Sequence, residues 1–395
     1  MATFTNKAFD VCIVGAGPAG SATAIRLADA GLSVLLVEQK KFPRNKLCGE
    51  FVSPECLVHF DELGVLCDIS SAGGVDLHET VFYARNGRGV SIKSEWFGQN
   101  GSFALGLSRA EMDERLLRRA HEVGVEVRQE TTASRLLVES DRVTGVRLKG
   151  KDNSETSVTA NVTIDATGRI QALARRIQKP AEQRKRASHV AFKAHLRDAG
   201  TAPRTCEIFA YRGGYGGCNR VENGLYNLCF IASSEDTRLR GSDAERVMRE
   251  VVFTNKRAAE TLYAAKLASE WLAVPIERFG RGELVPASGL LTVGDAAAFV
   301  DPFTGSGILL ALESARIAAD AIARAFSEGA DFNVLAAAYR RNYASVFDTR
   351  LRVCALLRHA AFVPLLAGAT VSVLGLSSGL RRQIARATRF SAGVS

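Results

Sequence analysis

The chain has 395 residues, of which 47% are hydrophobic and 24% charged, a balance that excludes a disordered or fibrous protein and allows one or two folded domains. Its eight cysteines are dispersed with no CxxC pair, which excludes a disulfide scaffold or a structural zinc site. The formal charge is +9, and seven arginines with no Asp, Glu or Lys lie between Thr349 and Ser395, so most of the excess sits in the tail. Those arginines lack interleaved aromatics, and no nucleic-acid partner is expected. The N-terminus shows no basic-then-apolar leader pattern, which makes a cytoplasmic location the default.

In chain order, Phe9 to Val14 reads as an apolar strand, and Gly15-Ala16-Gly17-Pro18-Ala19-Gly20 follows with GxGxxG spacing. A helix over SATAIRLADAG and a second strand, Leu32 to Val37, complete a βαβ unit. In such a unit Gly15 allows the tight turn and Gly17 lets backbone approach a pyrophosphate. Gly20 lets helix and strand pack, and the helix N-terminus, from Pro18 and Ala19 on, turns its free N–H groups to the phosphates. Glu38, 23 residues beyond Gly15, stands where a carboxylate accepts from ribose hydroxyls, with Gln39 beside it. A carboxylate there disfavours a 2′-phosphate, so the site suits FAD or NAD.

Further on, residues 107–123 have helical apolar spacing with Ser108 as the N-cap. Strands are predicted over Val125 to Arg128, 134–149 and Asn161 to Ile164, the last running into Asp165-Ala166-Thr167-Gly168. Residues 188–234 are strand-rich, 241–270 helical, Leu290 to Val293 a strand and Ile308 to Phe326 an amphipathic helix. Between Arg358 and Arg381 an uncharged run interrupted by Pro364, Gly368 and Gly375 leaves three readings open: a packed helix pair, peripheral membrane contact, or a span.

A second motif, Gly294-Asp295 followed by Pro302, Gly305-Ser306-Gly307 and Ile308, sits between a strand and a helix. With it the chain resembles the flavoprotein superfamily of aromatic hydroxylases, geranylgeranyl reductases and flavin-dependent halogenases. The resemblance implies an α/β fold: a Rossmann-like FAD-binding domain of the GR2 type (1–75, 105–180 and 280–330) interleaved with a sheet-rich substrate domain (76–104 and 181–279) and closed by a helical C-terminal region (331–395). It also implies that Asp295 lies near the ribityl and phosphate oxygens, and that Pro302, Gly305 and Gly307 bring backbone N–H groups to the isoalloxazine edge. Arg109 then reaches the FAD phosphate or ribose, and the Asp165–Gly168 turn, with Ala166, closes on the cofactor.

Lys46-Leu47-Cys48-Gly49-Glu50, after Pro43-Arg44, resembles the geranylgeranyl-reductase branch, in which this loop runs towards the flavin. Cys48, Gly49 and Arg44 are therefore expected at the cofactor. Cys48, Arg44 and Lys46, with Tyr215 from the glycine-rich stretch Tyr211 to Gly217, are the candidate catalytic residues. A packed loop thiol and a solvated loop arginine and lysine are the plain readings of the same positions. The halogenase W-x-W-x-x-P pattern is missing around Trp96 and Trp271, and the aromatic signature of archaeal geranylgeranyl reductases is not intact.

The expectation is an FAD-dependent reductase that passes hydride to a C=C bond of a lipophilic or natural-product substrate, with NAD(P)H as electron donor. The alternative is an NAD(P)H-dependent FAD monooxygenase acting on an aromatic or polyketide-like substrate; a flavin-holding assembly protein without turnover is the third. A carrier-protein or redox-protein partner is left open, and no metal site is expected, since none of the six histidines has ligand spacing.

Overall fold

A computed structural model describes residues 7–97, 102–177, 187–276, 280–299 and 305–362, with side chains of the last helix described through 352, and the isolated positions 379, 382 and 383. The apolar strand Lys7–Val14 lies at the centre of a seven-stranded sheet. Val34–Val37 and Glu126–Arg128 follow it on one side, all parallel. On the other side lies Glu155–Asp165, also parallel to it. The first half of that long strand pairs antiparallel with Arg142–Lys149, and the last three residues pair parallel with Leu290–Thr292. The C-terminal ends of Lys7–Val14, Glu155–Asp165 and Leu290–Thr292 therefore open on one edge, where ligands of parallel sheets bind.

The helix Pro18–Asp29 starts at Pro18, three residues before the expected SATAIR run, because proline's fixed φ suits the first helical position. Ser108 caps Arg109–Glu122 by accepting from the Glu111 N–H, as its type and position predict. Gly307–Glu328 ends at Gly329 in the left-handed region (φ 62°), and Phe332–Phe362 packs back on it. Residues 241–270 differ from the single helical stretch expected. Two short helices, Ala244–Glu250 and Lys256–Leu262, are separated at Asn255, whose side chain caps the second and donates to the carbonyls of Tyr83, Ala84 and Ala210. Tertiary hydrogen bonds break the helix there.

The second large sheet has eight strands and receives its members from two stretches of chain, Glu79–Lys93 and His189–Ile276. One face buries Phe192, Phe209 and Phe230 against the short helices, which contribute Val247. The other face looks towards the parallel sheet across a small three-stranded sheet, Phe51–Val52, Ala104–Gly106 and Val75–Leu77. Among the described residues no helix is long and apolar enough to cross a membrane. The uncharged run between Arg358 and Arg381 lies almost wholly outside the described residues.

Gly106 marks the junction of these sheets, for a Cβ built on it would stand 2.1 Å from the Arg220 carbonyl oxygen. Gly106→Ala must push two strands apart and is expected to destabilise the fold by about 1–3 kcal/mol, read as a lowered urea midpoint with an unchanged slope.

Candidate active site

The glycine turn is shaped by close backbone contact. Gly15 adopts φ +108°, and a Cβ there would fall 2.4 Å from the Ala166 oxygen; a Cβ on Gly20 would fall 1.8 Å from the Gly15 oxygen. The helix behind the turn has Gly17 as its N-cap with no side-chain cap, so its first N–H groups stay free to face an anion. Glu38, at the end of the second strand, accepts from the Ala16 N–H (3.1 Å) and the Lys40 N–H (2.9 Å) and is buried. Gln39 beside it is exposed.

The separate segments meet at this turn. A Cβ on Gly294 would come 2.7 Å from the Ala19 Cβ, and one on Gly168 would come 3.9 Å from the Asp295 Cβ. A Cβ on Gly17 would stand 3.7 Å from the Arg109 guanidinium. Gly305 is left-handed (φ 62°), Ser306 is buried, and Gly307 opens the long helix with nothing within 4 Å of a built Cβ, followed by buried Ile308. The structure thus gathers Gly15 to Gly20, Arg109, Ala166 to Gly168 and Gly294-Asp295 around one cleft. Pro302 lies outside the described residues. Asp165 turns inward: its oxygens accept from Thr167 N–H and Oγ1 and from the Leu173 and Ala174 N–H groups.

Electrostatics organise the rest. Arg109 makes two 2.7 Å bonds to Asp113, which also accepts from Arg44 at 3.1 Å. Burial alone would lower the Arg109 pKa, but the Asp113 carboxylate outweighs it and holds the guanidinium above its ordinary value. Arg44 reaches Glu38 as well (3.4 Å) and lies over the Phe42 ring. Lys46 stays open to solvent on the cleft wall, yet the surrounding protein, with Arg109 and Arg44 repelling it, lowers its pKa. Asp295 is shifted the other way, raised by burial against the pull of Arg169, Arg109 and Lys46. Four cations, held in part by Glu38, Asp113 and Asp295, face uncapped helix termini and glycine backbone, and these cations and N–H groups form a donor set that fits a dinucleotide pyrophosphate.

Above the cleft lies the open face of the eight-stranded sheet. Ala191, Tyr215, Ile231 and Ile276 form an apolar cluster there, with Leu47, Ile208 and Phe299 packed on it. Leu47 comes from the loop that carries Cys48 and Gly49, and Phe299 from the segment just after Gly294-Asp295, where Arg169 lies over its ring. Cys48 is half-buried, its sulfur accepts from the Glu50 N–H (3.4 Å), and its carbonyl accepts from Asn227 (3.1 Å). Arg169, Ile208, Phe299 and Asn227 were not singled out in the sequence. Only the strand-rich reading of residues 188–234 touched Ile208, and nothing local marked Phe299, Arg169 or Asn227.

A parallel-sheet edge, two glycine motifs in contact and a cation-lined cleft under an apolar wall define an FAD-dependent oxidoreductase. The family described as "FAD binding domain" matches residues 8–347, and the chain belongs to that family, within the superfamily of FAD oxidoreductases that includes geranylgeranyl reductases and flavin-dependent halogenases. It is 30% identical over 334 residues to the digeranylgeranylglycerophospholipid reductase of Methanosarcina acetivorans, covering 81% of this chain and 76% of that protein. It is 28% identical to the menaquinone reductase of Mycobacterium tuberculosis, covering 90% of this chain and 85% of the other. Among solved structures, the flavin-dependent brominase Bmp2 superposes with a TM-score of 0.80 at 22% identity over 98% of this chain and 96% of its own, a likeness of fold.

Asp113 is fully buried and pairs with two arginines at once. Asp113→Asn is expected to cost roughly 3–5 kcal/mol by leaving buried charge uncompensated, and to release FAD. Urea denaturation and flavin fluorescence during dilution check the two effects separately.

Proposed function

We propose that the chain is an NAD(P)H-fed FAD monooxygenase that hydroxylates or epoxidises a lipophilic aromatic or polyketide-like substrate. The observation behind this reading is the wall over the cleft, where the partly exposed Leu47, Ile208 and Phe299 present apolar and aromatic surface backed by the buried Tyr215, Ile231 and Ile276. Such a wall binds a ring by contact area and excludes water from the reacting face. When bound and reduced, FAD supplies two electrons and the means of activating O₂. The protein's part is to hold the cofactor's negative charge with Arg44, Lys46, Arg109 and Arg169, and to keep the ring dry.

Proton supply separates this reading from its rival. Oxygen transfer to an electron-rich ring asks no acid of the wall, whereas hydride addition to a C=C bond needs one at the second carbon. The Cys229 thiol on this face of the sheet is pushed by burial to about 12, a weak donor near neutral pH. The rival, reduction of a C=C bond in an isoprenoid, is favoured by the names of the two reductases above and by Lys46, whose lowered pKa brings an ammonium nearer the working range of an acid.

The test is turnover of the holoprotein with NADH or NADPH, isotopically labelled O₂ and an alkyl-substituted phenol. One labelled oxygen atom in the product is expected for each nicotinamide oxidised. An unlabelled phenol, together with gain of two hydrogens by the prenyl chain of a menaquinone, would replace the oxygenase reading with the reductase one. Phe299→Ala is expected to raise KM for the phenol about tenfold while FAD remains bound, as steady-state kinetics and the visible spectrum report.

A further inference from the structure

Strand alternation places Ala191, Lys193 and His195 on the face of the eight-stranded sheet that looks towards the flavin cleft, while Phe192, Ala194 and Leu196 fill the opposite core. Lys193 is the cross-strand partner of Cys229, and His195 of Asn227, which in turn neighbours Asn219. The apolar wall therefore gives way, one row on, to a polar patch. Its lysine and histidine side chains are only 2% and 9% exposed, a costly burial unless both are paired.

The partner comes from the Cys48 loop. Glu50 is fully buried, and its Oε1 accepts from Lys193 Nζ at 2.5 Å and from the Arg109 N–H at 3.0 Å. Its Oε2 faces His195 Nε2 at 2.6 Å, and its main-chain oxygen accepts from Asn219 and from the Leu107 N–H. Glu50 is held in the left-handed region (φ 51°), a strained conformation for glutamate that these contacts over-determine. The Arg109 N–H bound by Glu50 opens the helix whose guanidinium lies over the glycine turn. Glu222, from the turn between two sheet strands, takes the preceding Ser108 N–H at 2.9 Å.

We propose that Glu50, Lys193 and His195 form a charge clamp that fixes the Cys48 loop and Arg109 against the substrate-facing sheet. They are positioning residues for the flavin seat. None needs to touch the cofactor, and the clamp operates whichever reaction the reduced flavin performs. An apolar trio of equal volume would close this interface at least as favourably, but it would not fix direction. The carboxylate does, because each of its oxygens is committed to a donor from a different part of the chain. Lys193 and His195, together with the attraction between opposite charges, hold the Glu50 carboxyl below the usual carboxylate range despite its burial, so it is ionised at neutral pH.

The test uses the full chain. The double variant Glu50→Gln/Lys193→Met removes the carboxylate and the ammonium together and leaves His195 facing a neutral amide that can still accept or donate a hydrogen bond. FAD affinity is read by fluorescence titration, the flavin environment by visible absorption and reduction potential, and apoprotein stability by urea. The expected result is FAD affinity lower by about tenfold or more, shifted flavin bands and potential, and a urea midpoint near that of the unchanged chain. Unaltered affinity and spectrum in the folded double variant would overturn the clamp, as would a loss of affinity that only tracks a loss of apoprotein stability. If the double variant does not fold, Lys193→Arg decides. It retains the ion pair but displaces the loop, so altered flavin bands support the clamp and unaltered ones sink it.

Discussion

The structure depends on backbone approaching backbone at a distance that no side chain permits. Gly20 lies over the Gly15 oxygen, Gly15 over the Ala166 oxygen, and Gly294 against Ala19. The first closes the turn on itself, the other two join segments far apart in sequence, and together they bring the ends of three parallel strands to one edge. Free N–H groups at the helix start then have no neighbour but the cleft. The phosphate seat is a consequence of close packing more than of any one ligand-binding side chain.

That close packing creates an electrostatic demand. Arg44, Lys46, Arg109 and Arg169 share one cleft, and the Lys46 pKa is lowered first by desolvation within the surrounding protein and then by repulsion from Arg109 and Arg44. Asp113 relieves part of the repulsion by holding two of the arginines, and Asp295 faces the others. The positive charge that remains suits a dinucleotide pyrophosphate. The carboxylates orient the arginines without cancelling them, which is what an anion site of moderate strength needs.

The loop from Lys46 to Glu50 joins this charged cleft to the apolar wall. Leu47 packs on the wall, the Cys48 carbonyl is held by Asn227, and Glu50 reaches the polar row beyond. Five consecutive residues thus touch three environments, so a small displacement of the loop moves cofactor seat and substrate surface together. The small sheet that includes Phe51–Val52 anchors the loop's end, and Gly106 allows that sheet to sit directly on the Arg220 carbonyl.

Much of this was legible in the residues themselves. Glycine motifs can be read because close approach demands one residue type at fixed spacing, and Ser108 because a cap is a local device. The expected pairing of Gly15–Gly20 with Gly294–Gly307 around one cofactor needed only two such motifs. What the chain order did not disclose was the inward turn of Asp165, the break at Asn255, the Arg169–Phe299 contact and the buried meeting of Glu50 with Lys193 and His195. Those last two stand 143 and 145 residues from their partner. Local sequence determined where the backbone must come close and which cofactor class fits there, because those constraints act within a turn. Only the tertiary structure decided which charges are paired and what surface faces the flavin, because pairing and burial depend on strands brought together from distant parts of the chain.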